Sequence, residues 1–305
     1  MARAVFVVGK NRSGTKWLSN LIAGHSDVAV LQHPRHRGVI ETNLLLQAPA
    51  VFGPIDRWEN FVPFVETFAA SDGFLMSGLD KSVLYGLFGA DHPTFFRGFM
   101  DAYAEAKGTS VWLQKASTHG LSYVLRHFPD AIVLGVVRDP VDNIRSEVAL
   151  ERRQRPDAPS RWFRQVIKYR LEASRVDRAV RSGQLHAVRF SELREQREAT
   201  LRQVCDWLAL PFEATMLEGQ FKPNTSFART ADRAMVLTAR EERHIQWSNQ
   251  ALSLLPASLF EAAVSARDTL WGRPFMARGA TRFVAGSYGE FRERHQPPKD
   301  DPSDP

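Results

Sequence analysis

Apolar positions along the chain switch between two spacings. Ala4–Val8 (AVFVV) is a continuous β-branched run, the pattern of a strand buried on both faces. A glycine-containing loop follows. Trp17, Leu18, Leu21 and Ile22 then recur at helical spacing within Thr15–Ala23, and Gly24 stands where a helix stops. Val28–Leu31 and Ser110–Leu113 read as short strands, and Thr118–His127 as a helix. Ala131–Val137 (AIVLGVV) is the plainest strand in the chain. Pro140 opens the helix after it, which runs to Leu150. In Ser160–Ser182, Trp162, Val166, Tyr169, Ala173, Val176 and Val180 mark one face of a long amphipathic helix, and arginines fill the other. Leu185–Phe190 reads as a strand, Ser191–Leu208 as one helix and Thr238–Leu255 as another.

From about residue 44 to 110 the pattern gives way to aromatics punctuated by Gly and Pro. A helix lies within His92–Lys107. The aromatic segment Phe52–Phe99 suggests an apolar pocket, with about half of its rings belonging to the core. The tail from Arg292 is polar and Pro-rich and reads as disordered, so residues 1–291 form the folded unit. Strands alternating with helices predict a single α/β domain with a central, mostly parallel sheet flanked by helices.

Composition narrows the class. Apolar residues make up 44% and charged residues 24%, ordinary for a globular protein. The formal charge is +6, carried by 8 Lys and 32 Arg against 34 acidic residues. Such an excess suits nucleic acid, an anionic membrane or a small anionic ligand, and does not choose among them. The one cysteine, Cys205, excludes a disulfide framework and a multi-Cys metal site; within VCDWLAL it reads as a buried thiol. No apolar run approaches the ~20 residues of a membrane span. The apolar start is too short for a signal-peptide core, which predicts a soluble, cytoplasmic protein.

The loop Gly9-Lys10-Asn11-Arg12-Ser13-Gly14-Thr15-Lys16-Trp17 changes the picture. It joins a buried strand to a helix start, where unpaired N–H groups and the helix dipole favour an anion. Two glycines permit the tight turn, Arg12 and Lys16 add charge, and Ser13 and Thr15 add hydroxyls. Gly9 and Gly14 have the spacing of a Walker A loop. That motif needs Lys and then Ser or Thr directly after the second Gly. Here Lys16 is one place late and Trp17 takes the hydroxyl's position, which counts against a kinase or NTPase. Further on, Arg138 ends the strongest strand and Ser146 lies eight positions later in the next helix. A guanidinium and a hydroxyl so placed make a charge-assisted clamp for a phosphate.

On these residues the chain resembles the sulfotransferase superfamily, whose members use 3′-phosphoadenosine 5′-phosphosulfate (PAPS) and no metal. RSGTKWL after an apolar strand is similar to the family's 5′-phosphosulfate loop, with Asn11 in place of the usual Pro and Lys16 in place of a second Thr. VRDPVDNIRS is similar to its 3′-phosphate motif. Arg189–Leu193 (RFSEL) resembles its RYEDL block, with Phe190 stacking where a Tyr packs near adenine. Asn224–Phe227 also resembles bacterial members.

The resemblance implies a P-loop NTPase-like sulfotransferase fold. It also implies donor contacts from Arg12, Ser13, Gly14, Thr15, Lys16, Trp17, Arg138, Ser146, Phe190 and Ser226. Arg12 is expected to hold the leaving 5′-phosphate, and Lys115 (LQKAS) to reach the sulfuryl group. The base is left between His33, which occupies the column of the tyrosylprotein branch's Glu, and His119, near the Lys115 segment. Glu41 and His36 are further candidates. His25 and Asp27 fall on that branch's turn before the base.

The expected reaction is in-line sulfuryl transfer to a hydroxyl or amine of a small molecule, lipid, carbohydrate or tyrosyl acceptor, with no nucleic acid and no membrane span. A P-loop kinase, or a non-catalytic protein binding anions or nucleic acid through Arg145–Arg181, is the alternative.

Overall fold

The structure, a computed structural model, describes residues 1–33, 38–39, 44–154, 162–218, 238–264 and 266. Five parallel strands form the central sheet: β1 (Arg3–Gly9), β2 (Val28–Val30), β5 (Val111–Ser117), β6 (Ile132–Val137) and β7 (His186–Arg189). Their order is β2-β5-β1-β6-β7. β3 (Gln32–His33) and β4 (Gly38–Val39) make a separate antiparallel ribbon, with His33 opposite Gly38. β1 is buried on both faces, as its unbroken apolar run requires. Ala4, Phe6 and Val8 point into one core cluster, and Val5 and Val7 into the other.

The first face is covered largely by the aromatic segment, which folds as α2 (Leu44–Phe52), α3 (Trp58–Ala69), α4 (Asp72–Ser77), α5 (Ser82–Tyr85) and α6 (His92–Lys107). Asp91 caps α6 by accepting the Thr94 N–H at 2.9 Å, and Gly108 ends it at φ 68°. Phe61, Phe64, Phe68, Phe74, Phe95, Phe96 and Phe99 are all buried in this cluster. Their rings meet edge to face, Phe64 with Phe95 at 4.8 Å and Phe68 with Phe99 at 4.9 Å. These seven rings are therefore core, and only Trp58 and Phe88 of the segment's aromatics are exposed. α7 (Leu121–His127) adds Leu121 and Val124 to the same face.

The second face is covered by α1 (Thr15–Ile22) and α11 (Arg197–Leu208). α8 (Pro140–Gln154), α9 (Trp162–Arg181) and α12 (Ala239–Ser253) share a third cluster of Ile144, Val148, Val166, Tyr169 and Ile245.

Several boundaries depart from expectation, and α8 runs four residues past Leu150 to Gln154. The single helix expected over Ser191–Leu208 is two: α10 (Phe190–Glu195) and α11, separated by Gln196 at φ −132° and ψ 50°. β5 runs on to Ser117, because pairing with β1 extends over Gln114, Lys115 and Ser117 despite their polarity. Gly24 is not left-handed; a Cβ there would lie 2.8 Å from the Thr215 carbonyl, so the residue serves close chain approach. α11 ends at Ala209, whose φ of 47° is left-handed, and Arg3 donates to the Leu208 carbonyl beside it.

The thiol of Cys205 is buried, and burial pushes it up to about 11. Among the described residues no helix is long and apolar enough to cross a membrane. The expected tail from Arg292 lies outside the described residues.

Candidate active site

The loop between β1 and α1 lies at the C-terminal ends of the parallel strands. There β1 pairs Gly9 with Ser117 of β5 and with Val136 of β6. This is where open α/β sheets bind ligands. Two residues turn the chain through left-handed backbone: Arg12 at φ 68° and Gly14 at φ 107°. For Arg12 this conformation costs on the order of 1 kcal/mol or more. Glycine 14 needs it, and has no room for a side chain besides: a Cβ would lie 2.5 Å from the Phe190 ring. At Gly9 a Cβ would lie 2.6 Å from both Ser13 Oγ and Thr15 Cγ2. The Trp17 and Leu18 N–H groups return to the Gly14 carbonyl at 2.9 and 3.1 Å. The helical pattern gives the N–H groups of Thr15 and Lys16 no intrahelical acceptor.

β6 delivers Arg138 to this loop. Its Nη1 donates to the Arg12 carbonyl at 3.0 Å, and its guanidinium stacks over Phe190 at 4.5 Å from the ring centroid. Burial lowers the pKa of Arg138; Asp142 opposes that shift, while Arg12, Arg194 and Arg145 add to it. Several guanidiniums thus crowd one spot, which favours an anion there. Arg12 Nε donates to Ser146 Oγ at 2.9 Å. The two motifs expected to hold separate phosphates therefore touch through these side chains. Phe190 occupies the corner where β7 turns into α10, 5.6 Å from the Trp17 ring.

Lys115 stands on β5, paired with Val7. Burial lowers the pKa of Lys16, and the charge of Lys115 lowers it further, so the two ammoniums share a neighbourhood. His119 is half-buried in a short 3₁₀ turn, Thr118–Gly120, directly after β5. His33 sits in the β3–β4 ribbon, whose β4 strand runs beside α1. Glu41, His36 and Ser226 lie outside the described residues.

His25 and Asp27 serve the opposite end of the sheet. His25 is buried, with Nε2 2.8 Å from the Pro211 carbonyl, and its Nδ1 accepts the Asp27 N–H at 3.0 Å. Asp27 accepts the Ser110 N–H at 2.6 Å.

Sequence reasoning missed the residues behind the loop. Asn143 Nδ2 donates to the Asn11 carbonyl at 3.0 Å, and Lys10 Nζ donates to Glu147 Oε1 at 3.1 Å. Asn143, Ser146 and Glu147 stand at i, i+3 and i+4 on α8, a spacing that marks one helix face and could have drawn attention to them.

The Sulfotransferase family profile matches residues 4–214, more than half of the chain and all of the site described above. The chain belongs to that family. No curated protein sequence matches it. Among solved structures it is similar to the sulfotransferase domain from the curacin biosynthetic pathway, at 15% identity and a TM-score of 0.48, over 79% of this chain and 83% of that one. It is similar to a sulfotransferase of Mycobacterium avium at 17% identity and a TM-score of 0.45, over 83% of this chain and 77% of that one. A sulfotransferase from Alicyclobacillus acidocaldarius gives 19% identity and a TM-score of 0.39, over 86% and 99%.

The chemistry of these residues fits an anionic group. Ser13 Oγ and Arg138 Nε are buried with no hydrogen-bond partner among the described residues. Beside them lie cationic groups and an aromatic ring with one edge on Gly14. The Arg145–Arg181 stretch is less available to an outside polyanion than its composition implied. Arg145 pairs with Asp142 and Glu242, Arg175 is buried, and Arg178 and Arg181 both pair with Glu261.

Proposed function

We propose that this sulfotransferase takes its sulfuryl group from PAPS and transfers it in line to a hydroxyl or amine. The observation that supports this is the meeting of Arg12, Arg138 and Ser146 at the mouth of a left-handed glycine loop, under Phe190. Bound there, the donor supplies an activated sulfuryl group. The chain's own residues do the rest. The loop N–H groups of α1, with Ser13, Thr15 and Lys16, hold the 5′-phosphosulfate. Arg138 and Ser146 hold the 3′-phosphate, and Phe190 and Trp17 flank the adenine, with Ser226 as a further nucleotide contact.

Lys115 and Lys16 face the sulfuryl oxygens, and Arg12 balances charge as it develops on the leaving phosphate. A base removes the acceptor proton. His33 is the first choice, since its ribbon lies beside α1; His119 follows β5 beyond Lys115, and Glu41 and His36 complete the set. Burial and then the charge of Lys115 already disfavour the ammonium of Lys16, so an anion beside it relieves a cost that the free protein carries.

The test is equilibrium binding of labelled PAPS. Micromolar binding that Arg138→Ala and Arg12→Ala abolish supports the reading. Binding of ATP only with Mg²⁺, and none of PAPS, overturns it in favour of a kinase or NTPase.

A further inference from the structure

The phosphate loop is gripped from behind by one face of α8, and we infer that the Lys10–Glu147 ion pair positions that loop for donor binding. This rests on the donor reading above. The grip falls on three consecutive loop residues. Lys10 pairs with Glu147, the Asn11 carbonyl accepts from Asn143, and Arg12 donates to Ser146. Arg138 holds the Arg12 carbonyl from the strand side. The loop is therefore anchored at each of residues 10–12, and the left-handed Arg12 is held against its own preference.

Lys10 and Glu147 are each only 5% exposed. Ion pairs so deep are poor sources of stability, because the water lost by both charges offsets their attraction. Lys10 bears this out: burial lowers its pKa in spite of the carboxylates of Glu147 and Glu172. Geometry is what the pair supplies. Against the loop lies a cavity of about 110 Å³, lined by Lys10, Ser13, Arg138, Asn143 and Glu172 among others. Asn143 Oδ1 and Glu172 Oε1 are buried with no hydrogen-bond partner among the described residues. A loop released from Glu147 has this space to sink into, and Ser13 moves with it. Lys10 and Glu147 are thus positioning residues; neither is assigned a contact with the donor.

The experiment compares the parent with the double variant Lys10→Met/Glu147→Met, which removes both charges and leaves none buried alone. The probe is 3′-phosphoadenosine 5′-phosphate, measured by calorimetry alongside Tm and deuterium exchange of residues 10–14. The expected result is a parent-like Tm, at least tenfold weaker binding, and faster exchange in the loop of the free protein. Parent-like binding and exchange in a folded double variant overturn the inference. Should the double variant not fold, Glu147→Asp decides. It keeps the charges and draws the pair back by one methylene, so weakened binding supports positioning and unchanged binding overturns it. A parent that does not bind the probe overturns the donor reading instead. The exchange rates of the free variants then still judge the loop's anchoring.

Discussion

Arg138 holds the carbonyl of the left-handed Arg12 and stacks on Phe190, and in the proposed site it also carries charge toward the 3′-phosphate. Replacing it by Ala removes charge-assisted bonds worth about 1.5–3 kcal/mol each. Donor affinity is expected to fall at least ~100-fold, as read by calorimetry. Ser146→Ala removes one neutral hydroxyl, which accepts from Arg12 and would donate to the phosphate, and is expected to cost about 1 kcal/mol, or roughly fivefold.

Lys16 gives a pH signature. Burial and then Lys115 lower its pKa from 10.5, so its charge is lost at a lower pH than in an ordinary lysine. Donor affinity, flat at neutral pH, should decline as pH rises through that lowered value. Lys115→Gln removes the repulsion, so the decline should move upward toward 10.5. Dissociation constants between about pH 8 and 11 test this, and a decline that stays in place means the lysines do not share a site.

At this scale Arg12, Gly14, Arg138, Ser146 and Phe190 were legible because each belongs to a local pattern of residue type and spacing. Lys10 was visible only as one more charge in the loop. Its partner is 137 residues away, and no local spacing announces a contact of that range.

Elements carry the next layer. Gly14→Ala forces a Cβ into the Phe190 ring and keeps a left-handed φ. The expected cost is about 2 kcal/mol, seen as a lower Tm. Adding Phe190→Ala should return the steric share of the loss and leave the backbone share, so a complete recovery of Tm contradicts the geometry. Strand β1, helix α1, strand β6 and helix α8 were all legible, since continuous apolar runs and helical spacing report burial directly. The break at Gln196 was not, because the apolar positions on its two sides keep one helical rhythm across it. The polar half of β5 was hidden for the opposite reason. Gln114, Lys115 and Ser117 break the apolar run, and their backbone is held in the strand by pairing with β1.

The whole molecule separates two jobs by position. The aromatic segment builds one face of the core, and the proposed phosphate site occupies the strand C-termini. Phe64→Ala is expected to cost about 3–5 kcal/mol of unfolding free energy, measured in denaturant, while leaving the donor dissociation constant unchanged. A parallel loss of donor affinity in the folded variant would return the segment to the site. Nothing in composition could have separated pocket from core here, because an aromatic ring satisfies both equally well. Cys205 is buried in the core on the other face of the sheet. Its raised pKa keeps it a thiol, so thiol reagents should label it only as the chain unfolds.

The left-handed Ala209 at the end of α11 carries a consequence for engineering. Alanine there accepts a conformation that glycine adopts freely, and it does so about as far from the phosphate loop as β1 is long. Ala209→Gly is expected to raise stability by about 0.5–1 kcal/mol without touching the chemistry. The native chain thus leaves a ready gain unclaimed, and a hardened variant for substrate screening can begin at this one turn.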